Sequence, residues 1–338
     1  MTRTVHIDIG IDGAFLTRRW EEPDNWLRLT AELGYPYLEF CGDVLDPFFS
    51  GDQEYQLRTA AAVQEAAAHY GVTISDYYTG MATHRFHGLS HSHPAVRARM
   101  RAWIEQAMDI TLALGATRIG GHWDALSVEV LSDTERAQVA IDRIHKTFRE
   151  LTALAAEKGL TALYNEQMYI PSETPWTIEQ TYKFLAAVNE GAEQEGRVPL
   201  YVTVDTGHQA GMHYGALGED LDYTAWLRHF APVSEVVHLQ QTTPESSSHW
   251  PFTTECNAQG HVDMAQVLEA IEWGHRHWRE NRLAGVVPPV TEQFLILEVI
   301  PGSTVTEERL LRELAESARY LRRFVPEGGI DLVIEEEA

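Results

Sequence analysis

Four short apolar runs in this sequence end at or next to residues that can hold a cation or move a proton. TALYNE (161–166) ends at Glu166, LYVTVD (200–205) at Asp205, EVVHLQ (235–240) carries His238 and Gln240, and FLILEV (294–299) carries Glu298. Three earlier runs do the same, with Glu39 in PYLEFC (36–41), Asp76 in VTISDYY (72–78) and His122 at the end of TRIGGH (117–122). Taken singly, an acid after a strand usually caps the next helix. Taken together, Glu166, Asp205, His238 and Glu298 come from successive runs and read as one site. Three carboxylates and one imidazole suit a hard or borderline divalent ion, Mn²⁺ first and Mg²⁺ or Co²⁺ as alternatives. Without the ion, one glutamate is expected to hold a proton, because like charges so close do not all ionise. His238 and Gln240 share one side of a strand, so either could face the metal. Imidazole is the stronger ligand, which favours His238.

The elements that must position these groups follow from periodicity. The seven runs above, together with VHIDIG (5–10), make eight strand-like segments rich in β-branched and aromatic residues. Helical spacing of apolar residues fills the intervals, as in 54–71, 97–115 and 135–159, and 306–324 follows the last run. Helices are expected to end at Gly34, Gly71, Gly115 and Gly159, since glycine suits the left-handed cap. Eight strands, each followed by a helix, predict a single α/β domain, a (β/α)8 TIM barrel over 1–338. A doubly wound sheet would carry a Gly-rich phosphate loop after its first strand, and DIGIDGAF has no GxGxxG. The acidic tail, about 330–338, reads as a solvated end. In a barrel of this kind the C-terminal strand ends form the active-site rim, which is where the seven ionisable groups fall.

Composition excludes several classes. The 338 residues carry a formal charge of −24, from 26 Lys+Arg against 50 Asp+Glu, and such a surface repels nucleic acid. There is no apolar run long enough to cross a membrane, and MTRTVHIDIG enters a strand pattern without a cationic and apolar leader. Cys41 and Cys256, the two cysteines, form no disulfide framework or CxxC pair. A cytoplasmic protein with reduced thiols is expected. Arg18, Arg19 and Arg85 follow the first and third strands and are candidate phosphate holders. THRFHGLSHSH (83–93) holds four histidines without a two-ligand helical spacing and reads as a loop over the barrel mouth.

TALYNEQ, VDTGHQ, VVHLQQT and FLILEVIPG resemble the metal-site strands of the xylose-isomerase-like sugar epimerases and isomerases, the group that includes D-tagatose 3-epimerase. Asp205 and His208 match the DxxH of its sixth strand, and AQGHVD (258–263) is similar to its segment before the seventh helix. EFCGDVLDPFFSGD and THRFHGLSHSH look like the tetrulose-phosphate 3-epimerases of erythritol breakdown. The resemblance implies metal-dependent epimerisation at C3 of a small ketose or ketose phosphate through an enediolate, with erythrulose phosphate the best guess. It implies Glu166 and Glu298 as the acid/base pair as well as metal ligands. His208 and His122 would then hold substrate oxygens, and Trp123 would supply an aromatic wall. Relatives often show HxKD or HxGE where this chain has His238-Leu-Gln240-Gln241, which points to a changed substrate contact at Gln240. The same chemistry admits an aldose–ketose isomerase, or a lyase or deglycosidase. A phosphodiesterase of the endonuclease IV type would need more histidines and a basic groove. Barrels of this family are commonly homo-oligomers, and one is expected here.

Overall fold

The computed structural model describes residues 2–80 and 86–335. Its strands are β1 (Thr2–Asp12), β2 (Tyr37–Cys41), β3 (Thr73–Tyr78), β4 (Arg118–Gly120), β5 (Ala162–Glu166), β6 (Leu200–Asp205), β7 (Val236–Leu239), β8 (Glu292–Leu297) and β9 (Ile330–Glu335). The first eight pair in parallel in chain order, and β1 pairs with both β8 and β2, so the ring closes. This is the expected (β/α)8 barrel. The main helices are α1 (Pro23–Leu33), α2 (Gln53–Tyr70), α3 (Pro94–Ala113), α4 (Thr134–Lys158), α5 (Ile178–Asn189), α6 (Tyr223–Phe230), α7 (Met264–Arg276) and α8 (Glu307–Leu321). Each follows the strand of the same number.

The helices obey the patterns read from the sequence. In α8, Leu310, Leu314, Ala318 and Leu321 fall on one buried face and Thr306 caps the first turn through its side chain. Burying each such leucine contributes roughly 2 kcal/mol. Gly34, Gly71 and Gly159 cap α1, α2 and α4 at φ 91, 69 and 96°, and Gly115 lies just beyond α3 at φ 80°. A side chain at these angles is disfavoured by its Cβ.

One expectation fails. Residues 330–335 are not a solvated tail: β9 pairs antiparallel with the first half of β1, from Thr2↔Glu335 to Ile7↔Ile330. Its alternation buries Ile334 and leaves Asp331, Val333 and Glu335 outside. Three glutamates mask a period-2 strand when net charge is read instead of alternation.

Candidate functional site at the C-terminal rim

Parallel register sets the site. Asp205 and His238 are direct partners across β6 and β7. Glu166 is the last residue of β5, and Glu298 stands one residue beyond β8. One ligand atom from each of the four lies within 4.8 Å of every other, and all four residues are buried. The quartet predicted from strand ends therefore meets at one point. Glu166 and Glu298 reach it from strands three apart in the ring, hence from well-separated directions.

The donor atoms are arranged for a cation. Asp205 Oδ1 accepts from Gly207 N at 2.5 Å and Gln240 Nε2 at 2.9 Å. Asp205 Oδ2, Glu166 Oε2 and Glu298 Oε2 are buried without a hydrogen-bond partner among the described residues. His238 Nδ1 faces this group, 3.1 Å from Glu166 Oε1 and 3.4 Å from Glu298 Oε2. Its Nε2 pairs with Glu39 Oε1 at 2.9 Å, the kind of outer carboxylate that fixes a ligating histidine's tautomer. Buried oxygens left unpaired cost free energy, and a divalent ion coordinated by them would remove that cost. The donor set fits Mn²⁺, Mg²⁺ or Co²⁺ better than a thiolate-seeking metal.

Proton placement differs from the simple expectation. Burial opposes charging His238, yet the nearby Glu39 and Glu298 charges hold its imidazole well above the ordinary histidine range. Burial also opposes ionisation of Glu298, but the His249 and His238 charges outweigh it and hold the carboxyl well below the usual range. Glu166 behaves likewise, with the His238 hydrogen bond and the His208 charge prevailing. Burial does raise Asp205, to about 6. Glu39, outside the quartet, is pushed well up by burial, against the pull of the His238 charge.

Glu39 owes its place to a bulge. The β2–β3 register shifts at Leu38/Glu39, so that Glu39 faces Asp76 and Ser75 is skipped. On the other side Glu39 faces Asp12 of β1. The three acids form a buried row behind His238. Glu39 and Asp76 were visible as strand-end acids, but their tie to His238 was not, because a bulge leaves no periodic signal.

The remaining candidates divide. His208 is buried beside the quartet, with Nδ1 donating to Gln167 O at 2.9 Å and lying 3.4 Å from Glu166 Oε1. His122 is buried just past β4. Gln240 is engaged by the protein itself: its amide donates to Asp205 and to Ser247 Oγ at 2.9 Å, and its oxygen accepts from His249 N at 2.7 Å. Those bonds leave no donor for a ligand. Trp123 is buried, its indole donating to Tyr164 O at 2.8 Å and packing edge-on to Phe148 of α4. Successive residues of an extended chain face opposite ways, which parts Trp123 from His122. Arg18 is exposed at φ 67°, and Arg19 pairs with Glu307 at the start of α8. Arg85 and His84 lie outside the described residues. Cys41 and Cys256 are free, and no helix among the described residues is long and apolar enough to cross a membrane.

Sequence reasoning missed His249. It lies in the β7–α7 connection with Nδ1 3.1 Å from Glu298 Oε2 and its ring centroid 5.9 Å from that of His208. A loop histidine eleven residues past His238 has no spacing to betray it.

A barrel with four convergent ligands at its C-terminal rim defines a class, and comparison places the chain within it. The protein belongs to the xylose isomerase-like TIM barrel family, whose profile matches residues 27–275. It is 26% identical over 263 residues to the D-erythrulose 1-phosphate 3-epimerase of Brucella abortus, covering 77% of this chain and 81% of that one. Among solved structures it is similar to a protein of Rhodospirillum rubrum provisionally assigned as a xylose isomerase. That likeness has a TM-score of 0.78 and 23% identity, over 94% of this chain and 99% of the other. It is also similar to a D-allulose 3-epimerase from a Methylomonas species, at TM-score 0.60 and 17% identity over 95% and 98%. At such identities these two structures speak for the fold alone.

Proposed function

We propose that this protein is an isomerase, a divalent-metal-dependent 3-epimerase of a small ketose or ketose phosphate. The observation that carries the reading is the pair Glu166 and Glu298, which converge on one point from separated strands, with Glu166 Oε2 buried and unpaired and Glu298 Oε2 facing His249 and His238. Glu166, Asp205, His238 and Glu298 would hold the ion, Mn²⁺ first among the candidates. Bound there, it would supply Lewis acidity that weakens the C–H bond beside a substrate carbonyl.

The side chains do the rest. One glutamate removes the C3 proton from its face of the sugar. The other, which must enter that turnover protonated, delivers its proton from its own side and inverts C3, so the two carboxyls end with their protonation states exchanged. A single base shuttling between adjacent carbons would instead give aldose–ketose isomerisation, so two glutamates approaching from separated directions favour epimerisation. His208, fixed through Nδ1 by the Gln167 carbonyl, keeps Nε2 for a substrate oxygen. Burial of the quartet excludes water, which strengthens each electrostatic contact.

Erythrulose phosphate is the substrate we favour, supported by the Brucella relative's activity. Arg18, exposed at the same rim, is the described cation best suited to meet its phosphate. The test is proton NMR in D₂O with Mn²⁺-loaded protein, erythrulose 1-phosphate and free ketoses. Deuterium at C3 with inversion is expected, fastest with the phosphate. Exchange at C1 or C2 with an aldose product would make it an isomerase, and no exchange with any ketose would refute both.

A further inference from the structure

We propose that Gln240 and His249 form one brace that sets the separation and orientation of Asp205 and Glu298, making the β7–α7 connection a positioning element for the metal ligands. The inference rests on the reading of the quartet as a metal site. Its basis is a continuous chain of contacts. Asp205 Oδ1 is held by Gln240 Nε2, Gln240 Oε1 is held by the backbone N–H of His249, and His249 Nδ1 stands 3.1 Å from Glu298 Oε2. Ser247 locks the middle of the chain: its Oγ takes Gln240 Nε2 at 2.9 Å and meets His249 Nε2 at 3.2 Å. Two ligands from β6 and β8 are thereby joined above β7 by side chains instead of by sheet pairing.

Two features mark the brace as built for this task. His249 has φ 47°, one of two non-glycine residues with positive φ among the described residues. A non-glycine residue there carries a backbone cost that glycine would not, so the ring is retained at that cost. Gly207, one residue past Thr206 on the β6 side, leaves the room: a Cβ there would lie 2.3 Å from the Gln240 side-chain carbon. The brace also occupies the position where His238-Leu-Gln240-Gln241 replaces the charged pattern of relatives. A neutral amide can donate to Asp205 and accept from His249 at once, which neither a lysine nor an acid can do.

The test is titration of the full-length protein with MnCl₂ by calorimetry, with the visible spectrum of the CoCl₂-loaded protein as a second readout. His249→Gly removes the ring and suits the backbone, so the variant should melt no lower than the parent. Gln240→Met removes both amide ends at similar volume. Each single variant should bind Mn²⁺ about 10- to 100-fold more weakly and shift the Co²⁺ absorption. The double variant should match the weaker single variant, because two members of one unit do not add. Parental affinity and an unchanged Co²⁺ spectrum in His249→Gly would overturn the brace while leaving the metal site intact. Losses that multiply in the double variant would overturn the single unit. A parent protein that binds no Mn²⁺ would refute the metal site itself, and the brace with it.

Discussion

The two ends of the barrel treat buried charge in opposite ways. At the N-terminal end the acids meet cations of the chain. Arg118 lies 3.1 Å from Glu235 and 2.8 Å from Glu292, Arg322 lies 2.7 Å from Asp8, and Tyr164 donates to Glu235 at 2.6 Å. At the C-terminal end Glu166, Asp205 and Glu298 meet three histidines, His208, His238 and His249, and among the described residues no arginine or lysine pairs with them. The same strands run through both ends, so the contrast is not one of fold. One end is complete within the chain. The other would be completed by an ion from outside if the proposed metal binds there, as a stable barrel with a reactive mouth requires.

The contrast breaks most sharply at the two glutamates. Glu166→Gln and Glu298→Gln should each lower turnover by about 10³-fold or more, with circular dichroism unchanged. Near-parental turnover in either would remove the two-base mechanism. Next comes the ion. MnCl₂ at a hundred times its Kd should stabilise the protein by about 2.7 kcal/mol, and a chelator should reverse this. Asp205→Asn should lose most of the effect, and a melting curve indifferent to metal would place the missing charge elsewhere.

The N-terminal end should answer in stability instead of activity. Arg118→Met strands Glu235, and since both side chains are partly exposed the cost should be about 2 kcal/mol, less than for a fully buried pair. Urea denaturation measures it, with turnover per folded molecule unchanged. A loss of turnover would mean that the two ends are coupled.

The smallest effect concerns His275, which contacts Arg3 through Nδ1 at 3.1 Å. Burial, and then the Arg3 charge, push its imidazole down to about 3. An unfolded histidine takes up a proton near pH 6.5, which the folded one refuses. Stability is therefore unaffected above about pH 6.5 and falls below it, by up to about 1.4 kcal/mol per pH unit. Between pH 7.5 and 5.5 the parent should lose about 1 kcal/mol more than His275→Gln, and equal slopes would show that His275 is protonated in the fold.

Much of this was legible in the residues. Alternating apolar runs with terminal acids gave eight strands in their observed order, and a strand that ends at Asp205 places that side chain at the rim whatever surrounds it. The quartet followed because β5 to β8 are consecutive in both chain and ring. Trp123 and Gln240 show the limit of residue type: types suited to sugar contact are equally suited to a core or to holding another side chain, and orientation decides between them. The β9 strand hid behind its glutamates.

The sequence alone determined the class of barrel, the four converging side chains and the chemistry their types can support, because these depend on local periodicity and on residue type. Tertiary structure alone decided what surrounds them. A bulge at Leu38/Glu39 turns Glu39 toward His238, a strained loop brings His249 to Glu298, and chain closure pairs β9 with β1. Each is a contact between segments far apart in the chain, and no local pattern encodes a long-range contact until the backbone has closed around it.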